Sequence, residues 1–156
     1  MNPRTIKSVK LDPEDEYLLA KYSWSIQSKG YAQTIVCHDK KPTAILMHRV
    51  IMNAPKSMWV DHINGDTLDN RRSNLRLCTS SQNHQNCGKQ INNKTGYKGV
   101  CGRLPANKKF LASIQSNYKL YHLGLYETPR QAAIAYNNAA ILLHGKFAHL
   151  NEIPPE

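Results

Sequence analysis

The stretch from Ser57 to His84 constrains this chain more than any other. Ser57-Met58-Trp59-Val60-Asp61-His62-Ile63 reads as an apolar strand that ends with an acid and a histidine side by side. Asn64-Gly65-Asp66 then turns the chain, and Asp69-Asn70-Arg71-Arg72-Ser73-Asn74 is a polar loop. Leu75-Arg76-Leu77-Cys78 alternates with period two and reads as a returning strand. Thr79-Ser80-Ser81-Gln82-Asn83-His84 supplies an N-cap and a first helical turn. The layout is strand, long polar loop, strand, short helix. It lets the end of the first strand face the start of the helix, so that Asp61 and Asn83 present two oxygen donors to one ion. Oxygen donors with open positions suit Mg²⁺ or Mn²⁺ better than zinc. His62 would stand beside that ion, and an ordinary pKa of ~6.5 lets it take a proton from water near neutral pH.

Charge narrows the partner. The 156 residues carry 21 basic and 11 acidic side chains, a net +10. A surplus of this size points to a polyanion, and nucleic acid is the default. Residues 1–45 hold 7 basic and 5 acidic residues, whereas 46–94 and 95–156 each hold 7 and 3. The anion-binding face is therefore sought in the last two segments. The length suits one compact domain or two small ones. The start lacks the apolar stretch of a signal peptide, and no apolar run approaches the ~18 residues of a spanning helix. The expectation is a cytoplasmic protein, in a bacterium or a phage-infected cell, with no membrane partner. Cys37, Cys78, Cys87 and Cys101 form no Cys-x-x-Cys pair and read as free thiols rather than a zinc knuckle.

The flanking segments read more plainly. In the first, Asp12-Pro13-Glu14-Asp15 predicts a capped short helix with acids at its positive end. Ser23–Gln27 and Tyr31–Cys37 predict a hairpin around Lys29-Gly30, and Thr43–Arg49 a third strand or a strand running into a helix. No chemistry is evident there, and packing beside the next segment is the expected role. His48 reads as a packing or phosphate-contacting residue and His84 as helix surface. Residues 84–96 lack a hydrophobic pattern and mark a boundary, with 88–96 as linker.

The last segment predicts three strands, Tyr97–Arg103, Lys109–Gln115 and Lys119–Tyr126. A helix follows, opened by the capping box Thr128-Pro129-Arg130-Gln131 and stopped by Gly145. Ala132, Ala133, Tyr136, Ala139, Ala140 and Leu143 form its apolar stripe. Such a stripe lets the helix lie close on the sheet and leaves the other sheet face open for a DNA groove.

Two resemblances sharpen this reading. Asp61-His62-Ile63-Asn64-Gly65-Asp66, Asp69-Asn70-Arg71, Asn74-Leu75-Arg76 and Asn83, over about residues 46–87, resemble the HNH endonuclease family in its phage and intron-encoded homing form. The resemblance implies a ββα-metal finger. Asp61 and Asn83 would be ligands of one Mg²⁺ or Mn²⁺ ion, His62 the general base, and Asn74 the residue that fastens the loop and orients His62. Arg71, Arg72 and Arg76 would hold phosphates, although Arg71-Arg72 also reads as a solvated charge cluster. The second resemblance joins Tyr97-Lys98-Gly99-Val100, Lys109-Phe110-Leu111-Ala112, Leu123-Gly124, Ala132-Ala133, Ala135-Tyr136, Ala139-Ala140 and Leu150-Asn151. These resemble the plant ethylene-response-factor (Apetala-two) DNA-binding domain, and would put Lys98, Arg103, Lys109, Gln115 and His122 on a DNA face.

The expected architecture is α+β: an HNH nuclease domain over 1–87 with an α+β lead-in, a linker at 88–96, and a three-stranded antiparallel sheet packed on one helix over 97–152. The expected activity is metal-dependent hydrolysis of double-stranded DNA by a working monomer. A non-catalytic DNA-binding regulator that keeps a vestigial nuclease fold is the alternative. An RNA-directed protein is a third reading, for which no base-stacking aromatic pair is seen.

Overall fold

The computed structural model describes residues 8–38, 41–103 and 109–155, the side chains of His38 and Arg103 excepted. The chain divides into two compact units, Met1–Ser80 and Ser81–Glu156.

In the first unit a 3-10 turn at Pro13–Asp15 leads into helix α1 (Tyr17–Lys21). Strands β1 (Ser25–Ile26), β2 (Ala32–His38) and β3 (Lys41–Leu46) form an antiparallel sheet in that order. β3 runs directly into α2 (Met47–Ile51), so the second of the two expectations for this stretch holds. β4 (Trp59–His62) pairs antiparallel with β5 (Leu75–Cys78), with Asp61 opposite Arg76 and His62 opposite Leu75. A 3-10 turn at Arg72–Asn74 feeds β5.

One core draws on α1, β2, α2, β4 and β5. Leu18, Trp24, Ala32, Met47, Ile51, Val60 and Leu75 are buried together. Most come from the lead-in and α2, because a two-stranded ribbon cannot bury an apolar face alone. Trp24 donates its indole N–H to the Leu18 carbonyl at 2.8 Å, which satisfies its polar edge inside that core. The Asp12 cap did not form as expected. Its carboxylate instead accepts the backbone N–H of Arg72 at 2.8 Å, a donor that the polar loop leaves without a partner of its own.

Helix α3 (Ser80–Asn86) begins at the division between the units and continues into the second. Lys98 Nζ donates to the Gln85 carbonyl at 2.6 Å and ties the last turn of α3 to the strands that follow. β6 (Val100–Arg103), β7 (Phe110–Ser116) and β8 (Lys119–Tyr126) form an antiparallel sheet in sequence order. Helix α4 (Pro129–His144) packs on it. The predicted capping box is present in both directions. Thr128 Oγ1 accepts from Gln131 N at 3.2 Å, and Gln131 Oε1 accepts from Thr128 N at 3.3 Å. Gly145, at φ +52°, ends the helix.

Ala132, Ala133, Tyr136 and Ala140 are buried against Val100, Ala112 and Ile114. Leu143 departs from the predicted stripe and stays 42% exposed. His144 takes the inward place in that last turn, hydrogen-bonded to the Gln115 carbonyl at 3.0 Å.

Gly99 is packed too tightly to carry a side chain. Its φ is +72°, and an added Cβ would collide with the Cδ2–Cε2 edge of the Tyr136 ring and lie 2.7 Å from the Ser113 carbonyl oxygen. Gly99→Ala is therefore expected to cost the second unit ~3 kcal/mol, through overpacking and a strained φ together. A denaturation midpoint lowered well below that of the native chain checks this, and an unchanged midpoint would contradict the packing described.

Candidate active site

The site is built from a polar loop whose backbone would otherwise be unsatisfied. Asn74 fastens that loop at both ends. Its side-chain oxygen accepts from Asn64 N at 3.0 Å, and its Nδ2 donates to the Asp69 carbonyl at 2.8 Å. Its own carbonyl accepts from Ile63 N at 2.9 Å, next to His62. The turn closes with Gly65 N donating to the His62 carbonyl at 2.9 Å, at a glycine with φ +75°. Within the loop, Asp66 caps Leu68 N and Asn64 caps Asp66 N. Outside it, the stretch at Lys10 bonds to Leu68 and Asn70 through the backbone. The lead-in thus straps the loop, a task that its sequence did not reveal because backbone pairing carries no side-chain signature.

Asp61 and His62 both end up buried, at 6% and 5% exposure. Burial, the dominant influence, pulls the His62 pKa below its ordinary value, while Asn70 and the charges of Asp61, Asp66 and Asp69 oppose it. The imidazole is therefore held in its neutral, proton-accepting form at neutral pH. Around it stand two rings that were not expected at the site. His48, from α2, lies 5.0 Å from His62 between ring centres at an interplanar angle of 87°. Tyr31 flanks both, at 5.3 Å from His48 and 5.8 Å from His62. Burial, then the neighbouring His62 and Arg49, pull the His48 pKa down to about 3. The Met47-His48-Arg49 stretch had no spacing that could reveal this, since the neighbours are brought together only by the fold.

The arginines expected to hold phosphates are on carboxylates of their own unit. Arg76 Nε and Nη2 sit 2.8 and 2.6 Å from Asp61 Oδ2, and both side chains are largely buried. Arg71 forks onto Asp69 at 2.8 and 2.6 Å and holds that carboxyl down to about 2. Arg72 bonds Asp15 through both arms at 2.8 Å and Glu14 at 2.7 Å. A planar guanidinium finds its best partner in a carboxylate within reach, and here β4, the loop and the lead-in each supply one or more.

The remaining candidates lie in the second unit. Asn83 is on α3, where its carbonyl faces the Cys87 thiol at 3.5 Å. Lys98 is turned inward onto Gln85, and burial lowers its pKa to about 8, so it does not sit on an open sheet face. Gln115 and His122 are exposed. Register puts them, with Leu120, on the sheet face away from α4. Lys109 pairs with Glu127 at 3.0 Å, both partly exposed. The side chain of Arg103 lies outside the described residues. Among those residues no three His, Cys, Asp or Glu side chains converge as a metal cage, and no helix is long and apolar enough to cross a membrane.

A strand ending in Asp-His, a loop pinned by an asparagine, a return strand and a helix in sequence define a nuclease-like ββα arrangement. A family profile described as HNH endonuclease matches residues 46–85. The chain is also 33% identical over 142 residues to a protein of Acanthamoeba polyphaga mimivirus named uncharacterized HNH endonuclease L560, covering 87% of this chain and 70% of that one. This chain belongs to the HNH endonuclease family. It also shows likeness to the solved HNH homing endonuclease I-HmuI, in a structure titled for DNA binding and cleavage. That match has 24% identity and a TM-score of 0.37, covering 42% of this chain and 40% of the other.

Burial of His48 without charge has a measurable consequence. The unfolded chain protonates this histidine below about 6.5, and the folded chain only near 3. Between those values the unfolded state binds the extra proton, so stability falls as pH falls. The loss from His48 is about 2 kcal/mol by pH 5. Denaturation curves at pH 7 and pH 5 are expected to show His48→Phe losing less stability than the native chain over that interval.

Proposed function

We propose that this protein is a metal-dependent DNA endonuclease of the homing type. It hydrolyses phosphodiester bonds in double-stranded DNA as a monomer, with His62 as general base and the second unit as its targeting module. The observation that carries the reading is a buried, neutral imidazole beside a buried carboxylate, both at the end of a strand whose loop Asn74 pins. A pinned backbone turns an ordinary Asp-His pair into a preorganised one.

Hydrolysis of an anionic diester asks for three things. A water must lose a proton, and His62, neutral at neutral pH, accepts it. Charge on the phosphoryl group must be offset, and the leaving 3′-oxygen must be stabilised. Asp61 and Asn83 are the proposed holders of one Mg²⁺ or Mn²⁺ ion. Their oxygen chemistry fits a hard cation that keeps open positions, and few protein ligands leave room for water and phosphate. When bound, such an ion supplies charge stabilisation at phosphoryl and leaving oxygens. Arg76, already on Asp61, keeps that carboxylate in one orientation.

The second unit supports targeting through the sheet face opposite α4, where Gln115 and His122 stand exposed. Its three strands and Ala-rich helix are the elements that the resemblance to the ethylene-response-factor domain implies, and they support reading this unit as a DNA-binding module. A sheet of this kind can place side chains in a major groove.

Two measurements test the proposal. His62→Ala is expected to bind DNA as the native chain does and to lose cleavage of supercoiled plasmid in Mg²⁺ by ~100-fold or more. Cleavage of the native chain is expected to stop in EDTA. Native-rate cleavage by the variant would remove His62 from the mechanism, and no cleavage by the native chain would favour a DNA-binding regulator. For the sheet, Lys109→Gln is expected to weaken binding at low salt and to lower the salt slope by about one. An unchanged slope would take Lys109 off the DNA face.

A further inference from the structure

His62 cannot set its own ring plane. The second side-chain torsion of a histidine turns about a bond between tetrahedral and planar carbon, with broad, nearly two-fold preferences. Proton transfer needs the accepting nitrogen aimed at one water, so neighbours must fix that torsion. Beside the hydrogen bond with Asn70, the site holds two aromatic neighbours that pack on the ring. His48 stands edge-on to the His62 ring at 87°, and Tyr31 is inclined at 65° to His48 and 47° to His62.

We propose that His48 is a positioning residue for His62, and that its ring, with Tyr31 alongside, locks the plane in which His62 presents its nitrogen to the attacking water. The inference rests on the reading of His62 as general base.

Three features support the lock. The rings arrive on separate elements: His48 on α2, Tyr31 at the entry to β2 and His62 at the end of β4. A clamp of that kind resists rotation from more than one side. Both histidines are at 5% exposure, so neither ring can swing into solvent without opening the core. Next to His48, Arg49 donates to the carbonyls of Met58 and Pro55 at 2.8 Å and of Ala54 at 3.2 Å. Those three bonds tie α2 to the segment that enters β4. The distance between the two histidines is thereby fixed through the backbone as well as through the rings. An uncharged His48 also adds no repulsion when His62 takes up its proton.

The contact is one of ring edge against ring face, a geometry that planar rings favour and a branched aliphatic chain cannot reproduce. Phe and Leu both fill the volume at position 48, and only Phe offers an edge. The test uses the full chain in single-turnover nicking of supercoiled plasmid with Mg²⁺, titrating protein to saturation. His48→Leu is expected to slow the saturated rate by ~10-fold or more, with half-saturation and DNA binding unchanged, as for a small misplacement of a reacting group. His48→Phe is expected to stay within ~3-fold of the native rate, since the edge-to-face contact is kept. Tyr31→Leu and Tyr31→Phe, at a half-buried position, read the same contrast, so a folding failure at position 48 leaves the test standing.

Native-rate cleavage by His48→Leu, equal losses in the Leu and Phe variants, or a loss confined to half-saturation would overturn the proposal. Failure of the base assignment looks different, because His62→Ala itself would then cleave at the native rate.

Discussion

One amide holds this site together. Asn74 offers an oxygen to Asn64 N and a nitrogen to the Asp69 carbonyl, and so spans the polar loop from one end to the other. A loop this polar has little apolar surface with which to hold a shape. Without a crosspiece, the entropy of the backbone would spread it over many conformations. The two strands could still pair, but the residues just beyond their ends would not be fixed. Asp61 and His62 sit at that end, and Ile63 N is bound to the Asn74 carbonyl. The Asp61–His62 pair therefore inherits its position from an asparagine ten or more residues along the chain, and not from its own strand alone.

Much of this was legible in the chain. The Asp-His strand end, the alternating return strand and the short helix after it are local patterns, and each formed where turn and periodicity rules place it. The capping box at Thr128 and Gln131 formed because both its partners lie within one turn. What the chain did not show shares another property: it concerns side chains whose partner is distant in sequence. Asp12 has the composition of a helix cap but serves Arg72, and Arg76 has the look of a phosphate ligand but lies on Asp61 across the ribbon. Lys98 belongs to a sheet pattern but closes the end of α3. His48 has no local pattern at all. Its role follows from a five-residue helix that happens to deliver it against His62.

The ion pairs also redistribute what a net charge of +10 means. In the first unit Arg71, Arg72 and Arg76 spend their forks on Asp69, Asp15 and Asp61. Arg71 and Arg72 are half-exposed and Arg76 is largely buried, and neither setting makes an ion pair a large source of stability, so their value lies in geometry: they brace the loop, its tie to the lead-in and the ribbon. The cost is borne in binding, because a guanidinium already matched to a carboxylate attracts phosphate less strongly than a bare one. Affinity for a polyanion then depends on the cations left exposed elsewhere and on the summed field of the chain.

Asp61 shows the same trade at closer range. Its pairing with Arg76 is mostly buried, and a buried ion pair is a weak source of stability, because desolvation offsets much of the attraction. What such a pair supplies is a single orientation. A carboxylate already balanced by a guanidinium holds a divalent cation less tightly than an unbalanced one, so under the proposed function an ion held by Asp61 and Asn83 would gain its remaining affinity from water and substrate phosphate. Under the proposed function, the ion and the DNA then bind in a mutually dependent way. An ion that is held firmly only when a phosphate completes its shell is present when there is a bond to cut. The protein's own contribution is left where this structure puts it: a fixed carboxylate, a pinned loop and a neutral imidazole whose plane its neighbours decide.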